Sequence, residues 1–256
     1  MNFFKYQGTG NDFIMIDDRE QTFNLTKDEI EVLCHRRFGI GADGLILLQN
    51  AEGYDFRMVY YNADGGEGSM CGNGGRCIVR FAHDLGVFEH ETTFIAVDGK
   101  HEASVSTDLV SLKMTDTNAV QVKDGLHFYD TGSPHVIKYI NNLDELDVVQ
   151  AGSAIRNSEF WSVNGGTNVN FVEPLGEQKI KVRTYERGVE AETFSCGTGV
   201  TACVLDRFVV DACQSPIAIV TKGGDLEVSF EVNTDRTFTN IYLKGPAKRV
   251  FEGILA

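Results

Sequence analysis

Residues 69–77 read SMCGNGGRC, and residues 195–203 read SCGTGVTAC. Each stretch sets a cysteine directly before Gly-x-Gly, with a second cysteine six or seven positions on, and one copy stands in each half of the 256-residue chain. The match extends outward. FRMVYYNADGGEGSM (56–70) lies over KVRTYERGVEAETFS (181–195). In both, an alternating strand ends in a polar turn, a loop rich in Gly or Glu follows, and the cysteine opens a helix. A repeat of this length implies two similar domains. The seam falls at MTDTNAV (114–120), where polar and small residues interrupt the strand pattern, giving domains 1–116 and 117–248. The last strand, in 249–256, is expected to cross back to the first domain.

The rest of the chain reads as strands and helices in alternation, with strands in excess. FFKYQG is a strand, and Thr26 with Glu29 forms a capping box that starts a helix running to about Arg37. DGLILLQ (43–49) and YDFRMVYYN (54–62) are strands. A helix follows Cys71 and stops at Gly86, and TTFIAV, HEASVSTD and LVSLKM are short strands. In the second half HFYDTG, PHVIKYI, TNVNFVEP and KIKVRTYE are strands, and DELDVVQAGSAIRN is a helix. A second long helix follows Cys196, and IAIVTK, LEVSFEV, FTNIYLKG and KRVFEG close the chain as strands. GIGADG (39–44) matches a dinucleotide fingerprint only in its letters. That motif must follow a strand and open a helix, whereas this one follows HRRF at a helix end and opens a strand.

Composition narrows the function. A net charge of −14 lacks the basic face that nucleic-acid binding needs. No apolar run approaches the length that spans a bilayer, about 20 residues, and the start MNFFKYQGTGNDF has no secretory pattern. A cytoplasmic protein is expected, with six cysteines held mostly as thiols rather than disulfides.

Three chemistries compete for the paired cysteines. Zinc sites favour Cys-x₂₋₄-Cys spacing, which neither motif has, so no metal is expected and Cys77 and Cys203 read as core thiols. Neither motif is the C-x-x-C of a redox pair. Acid–base catalysis fits better. A cysteine at a helix start meets outward-pointing N–H groups and the positive end of the macrodipole, which favours thiolate. The bare glycines let an anion approach those N–H groups. Two such helix ends facing each other would hold one carboxylate and set a sulfur on each side of the adjacent carbon. One thiolate then removes a proton while the opposite thiol delivers one, which is the geometry of a two-base racemase or epimerase.

These residues resemble the diaminopimelate epimerase family nearly end to end: GTGNDF (8–13), NADGGEGSMCGNGGRC (62–77), TGSPH (131–135), TNVNF (167–171), YERG (185–188) and ETFSCGTG (192–199). The resemblance implies an α+β fold of two pseudo-symmetric domains. Each would be a curved, mostly antiparallel sheet wrapped around a central helix, with the active site between them. It implies Cys71 and Cys196 as the catalytic base and acid, with no pyridoxal or other cofactor. Gly72, Asn73, Gly197 and Thr198 would hold the α-carboxylate through backbone N–H groups. Asn11, Asn62, Asn168 and Arg187 would read the far end of the substrate, Glu186 would accept from the reacting α-ammonium, and His135 would lie by the reacting centre. The reaction implied is the interconversion of LL- and meso-diaminopimelate, which feeds lysine and peptidoglycan synthesis, with that small molecule as the partner. The family often forms homodimers, a state the sequence does not show.

Two departures stand out. Gly66 replaces the usual serine of the first signature, and Ser133 replaces an asparagine that helps bind the distal end, where a shorter hydroxyl makes a weaker or water-mediated contact. Two other readings remain at this stage. One is a cofactor-independent proline or hydroxyproline racemase, whose members carry histidine where Asn73 stands and need no reader such as Arg187. The other is a non-enzymatic redox or metal-binding protein.

Overall fold

The computed structural model describes residues 1–255. Ala256, the last residue of the strand expected to return to the first domain, lies outside the described residues. In chain order the strands are β1 (Asn2–Gly8), β2 (Asn11–Asp17), β3 (Gly44–Gln49), β4 (Phe56–Asn62), β5 (Glu91–Ala96), β6 (Gly99–Ser106), β7 (Leu109–Lys113), β8 (Gln121–Lys123), β9 (Leu126–Asp130), β10 (Pro134–Tyr139), β11 (Asn168–Gly176), β12 (Lys179–Glu186), β13 (Ala191–Thr193), β14 (Ile217–Thr221), β15 (Gly224–Val232), β16 (Phe238–Pro246) and β17 (Lys248–Ile254). The helices are α1 (Lys27–Cys34), α2 (Gly72–Asp84), α3 (Val148–Arg156), α4 (Glu159–Val163) and α5 (Gly197–Asp211). The chain divides into two compact units, Met1–Leu112 with the segment from Gly245 onward, and Lys113–Lys244.

Within the first unit the ladder runs β17–β1–β2–β3–β4–β5–β6–β7. The successive pairings are antiparallel, antiparallel, parallel, antiparallel, parallel, antiparallel and antiparallel. Within the second unit the ladder β8–β9–β10–β11–β12–β14–β15–β16 repeats that order pair by pair. Thus β17 stands in the first ladder where β8 stands in the second. The repeat seen in the letters is a repeat of topology.

Each ladder curls around its own helix. α2 touches β1, β2, β3, β6 and β17, strands far apart in the ladder, and α5 likewise touches β9, β10, β11, β12 and β15. A helix enclosed in this way is buried on most of its faces, and any polar side chain on those faces must find a partner inside the fold. In α2 every residue from Gly72 to Val79 is buried, and so are Phe81 and Ala82. The outer faces carry the smaller helices. Ile14, Ile16, Leu45 and Leu47 pack with Ile30 and Cys34 of α1, while Phe13 and Ile46, one residue out of step, lie beside Gly74 of α2. This double cover explains why FIMI and LILL read as unbroken apolar runs, as parallel neighbours buried on both faces do. In the second unit Val136, Val169 and Phe171 pack with Val148 and Trp161 under α3 and α4.

The Thr26–Glu29 capping box is formed, but α1 ends at Cys34 rather than near Arg37. GIGADG is the loop from α1 to β3, as its context required. The single helix expected over DELDVVQAGSAIRN is broken. Residues Leu143–Glu145 form a 3₁₀ turn, and α3 restarts because the Asp147 carboxylate accepts from the N–H of Gln150 as an N-cap.

Candidate active site

In the first unit, Cys71 is the N-cap of α2, with extended backbone (φ −110°, ψ 151°). Its sulfur accepts from the N–H of Gly74 at 3.2 Å, and its carbonyl accepts from Gly75 at 2.7 Å. A Cβ on Gly74 would sit 3.2 Å from that sulfur and 3.3 Å from Ile46, so the glycine relieves a tight contact there. Gly72 and Asn73 follow, both buried. The Asn73 amide donates to Oδ1 of Asn11 at 3.4 Å, and its Oδ1 accepts from Nη2 of Arg76 at 2.9 Å. Asn11 in turn donates to Asp43 at 2.5 Å, the aspartate of GIGADG, which also accepts from Arg36. So the glycine-rich loop set aside as a nucleotide motif orients a candidate substrate reader.

Arg76 is fully buried. It donates to the Gly72 carbonyl and the Thr9 hydroxyl as well as to Asn73, and among the described residues it has no carboxylate ion-pair partner. Burial lowers its pKa to about 10, while the thiols of Cys77 and Cys71 oppose that shift. Because that value still lies well above neutral pH, the guanidinium stays protonated and sets positive charge in the second turn of α2. Asn62 ends β4, outside this hydrogen-bonded group. Its N–H donates to the Gly66 carbonyl at 2.8 Å in a turn with Gly65 at φ +74°. Gly66 donates to the Asp64 carboxylate at 2.9 Å, so the turn is closed without the serine of the family pattern.

In the second unit, Cys196 is the N-cap of α5 with the same extended backbone (φ −119°, ψ 111°), and its carbonyl accepts from Val200 at 2.9 Å. Gly197 is buried in the first turn, and the Thr198 hydroxyl lies 3.5 Å from the Cys196 sulfur. Thr198 also meets His135 Nε2 at 2.9 Å and the Ser133 hydroxyl at 3.1 Å. His135 is completely buried and its pKa falls to about 3, through desolvation first and the positive charge of Arg187 second. Its ring is therefore neutral at working pH. Asn168 donates to Ser133 at 3.3 Å and to the Pro134 carbonyl at 2.9 Å, and accepts from the backbone N–H of Arg187 at 2.8 Å. Arg187 donates to the Gly165 carbonyl. Glu186 is half-buried at the end of β12.

The expected residues thus fall into two groups, one around each N-cap cysteine. Cys71, Gly72, Asn73 and Asn11 gather in the first unit, and Cys196, Gly197, Thr198, Ser133, His135, Asn168 and Arg187 gather in the second. Burial pushes the thiols of Cys77 and Cys203 up, which matches their reading as core residues. Sequence reasoning missed Thr9, Asp43, Arg76 and Asn170. Arg76 was within reach, inside the quoted SMCGNGGRC. Asn170 carried a fainter signal, two positions after Asn168 on the same strand face.

The chain matches the diaminopimelate epimerase sequence profile over residues 3–121 and 127–250. It is 50% identical to the diaminopimelate epimerase of Flavobacterium psychrophilum over 255 residues, covering 98% of this chain and 99% of the relative. The chain belongs to the diaminopimelate epimerase family. Two solved structures share its fold at low identity. One is a phenazine biosynthesis protein of the PhzF family from Bacillus anthracis (TM-score 0.75, 16% identity, 100% of this chain and 99% of that one). The other is a probable proline racemase from Agrobacterium radiobacter (TM-score 0.69, 14% identity, 100% and 92%). The α+β architecture expected from the resemblance is therefore that of the diaminopimelate epimerase family and of these more distant proteins. Among the described residues no helix is long and apolar enough to cross a membrane.

Proposed function

We propose that the protein interconverts LL-2,6-diaminopimelate and meso-diaminopimelate by two-base proton transfer at one α-carbon. One observation carries this reading. Both long helices begin on an N-cap cysteine with extended backbone, followed at once by Gly-x-Gly. Cys71 and Cys196 are the acid–base pair. In one direction the thiolate of one takes the α-proton and the thiol of the other returns a proton to the opposite face, so the two sulfurs exchange protonation states in each turnover. In the other direction the roles reverse.

The α-proton of an amino acid is only weakly acidic, so the carboxylate must be stabilised as charge develops on it. Backbone N–H groups of Gly72, Asn73, Gly197 and Thr198 supply that field if both helix starts meet one carboxylate. Arg76, in the second turn of α2, adds to it. Excluding water strengthens each of these interactions. Asn11, Asn62, Asn168 and Arg187 read the distal ammonium and carboxylate, Arg187 through its planar fork. Glu186 accepts from the α-ammonium. Asn168 has both amide hydrogens engaged by Ser133 and Pro134, so its remaining capacity toward substrate is as an acceptor. The Ser133 hydroxyl is engaged by Asn168, His135 and Thr198, which makes it a support for the site more than a direct reader. The cytoplasm is the compartment this reading assigns, where all six cysteines stay reduced.

Incubation with LL-diaminopimelate in D₂O tests the assignment. Meso product carrying deuterium at one α-carbon is expected, and proline and 4-hydroxyproline are expected to remain unlabelled. Labelling of proline in place of diaminopimelate would transfer the function to the proline racemase class.

A further inference from the structure

We propose that Asn170 is a positioning residue: it fixes the tautomer of His135, so that the ring donates from Nε2 and the Thr198 hydrogen is left for the Cys196 sulfur. The inference rests on Cys196 being an acid–base group, and it adds a device that tunes that sulfur.

The hydrogen directions follow from the contacts one at a time. Asn170 is completely buried. Its Oδ1 accepts from the Thr184 hydroxyl at 2.9 Å, and its Nδ2 donates to the Val136 carbonyl at 3.1 Å. A carbonyl only accepts, so the amide cannot be flipped. The other Nδ2 hydrogen points at Nδ1 of His135, 3.1 Å away. Nδ1 must therefore be the bare nitrogen of a neutral ring, and Nε2 carries the proton. That proton faces two hydroxyls, Ser133 and Thr198, each at 2.9 Å.

Ser133 already accepts from Asn168. With Nε2 unable to accept, the contact that can take the Ser133 hydrogen is Thr198, at 3.1 Å. Thr198 then accepts from Ser133 and His135, and the Cys196 sulfur at 3.5 Å takes its hydrogen. Donation to sulfur favours thiolate over thiol. Gly199 belongs to the same device, because a Cβ there would lie 2.5 Å from Oδ1 of Asn170 and 3.2 Å from Cε1 of His135. The fourth residue of Cys-Gly-Thr-Gly is bare to admit the amide that sets the ring.

The test reads the tautomer and the sulfur separately from turnover. Imidazole nitrogen chemical shifts of uniformly labelled protein, with His135 assigned through His135→Gln, are expected to show protonated Nε2 and bare Nδ1 from pH 5.5 to 8.5. Asn170→Asp places a carboxylate against Nδ1 and is expected to put a proton there. In the same variant the pH at which iodoacetamide alkylates Cys196, mapped by mass in a Cys71→Ser background, is expected to rise. In the Asn170→Asp single variant, kcat should fall on the order of tenfold to a hundredfold, with KM changed much less. Thr198→Val removes the relaying hydroxyl and is expected to shift the alkylation profile the same way, which keeps the test open if Asn170→Asp fails to fold. A wild-type ring protonated at Nδ1 would overturn the proposal. So would an alkylation profile unmoved by either variant. Failure of the D₂O experiment with these two readouts intact would sink the epimerase reading alone.

Discussion

Cys71 and Cys196 hold the same cap position, yet their sulfurs have different neighbours. Cys71 accepts from the backbone N–H of Gly74, whereas Cys196 meets the Thr198 hydroxyl backed by His135. Replacing either with serine removes a group able to shuttle protons near neutral pH. Each single variant should lose on the order of a thousandfold or more in kcat, as enzymes do when a paired catalytic group is lost, with thermal unfolding little changed. His135 makes a stability forecast with a definite sign. Its pKa is near 3 in the folded protein against 6.5 in the unfolded chain, so between those values the unfolded state binds the extra proton. Stability should fall as pH drops from about 6.5 toward about 3, and denaturation midpoints across that range in wild type and His135→Gln should show a flatter dependence for the variant. The cysteines were legible because a cap motif is local. Asn170 was not, because its role depends on the β10–β11 register that sets His135 opposite Asn168, which no short stretch encodes.

At the scale of elements, the proposed chemistry sits at helix starts. Gly199→Ala drives a methyl into Asn170 and His135. It should cost far more activity than an exposed Gly→Ala change, and the comparison with Gly86→Ala, where a Cβ meets nothing within 4 Å but φ is +71°, separates crowding from backbone strain. A Gly199→Ala enzyme with wild-type turnover would refute the crowding argument. Thr26→Ala, remote from both cysteines in the sequence, removes the capping box of α1 and should cost about 1 kcal/mol with no effect on turnover, read by urea titration beside steady-state rates. Long elements with a clear period were readable, including α2, α5 and most strands. The short β8, β13 and α4 were not, since three to five residues give no period. The break before α3 was hidden because Asp147 fits a helix surface as well as a cap, and only its bond to Gln150 decides between them.

At the scale of the whole molecule, one ladder order occurs twice, and each copy encloses one helix that begins with a cysteine. An inversion at carbon gives that doubling a use, because a stereocentre has two faces. The repeat was visible in the sequence around the cysteines, where chemistry holds spacing constant. It was invisible elsewhere, where only the pattern of parallel and antiparallel pairing persists. If both sulfurs reach one substrate carbon, mild oxidation should join them: diamide would take two electrons and two protons from the pair of thiols and leave a Cys71–Cys196 disulfide. Inactivation reversed by dithiothreitol, with that crosslink found by mass mapping, is the expected outcome; inactivated protein with both residues still alkylatable would count against the pairing. The most direct test is the early time course in D₂O starting from LL-diaminopimelate. Two separate bases predict that meso product carries solvent deuterium from its first appearance while the remaining LL substrate keeps its α-hydrogen. Deuterium entering substrate and product at equal rates would mean that one base serves both faces, and would contradict the account.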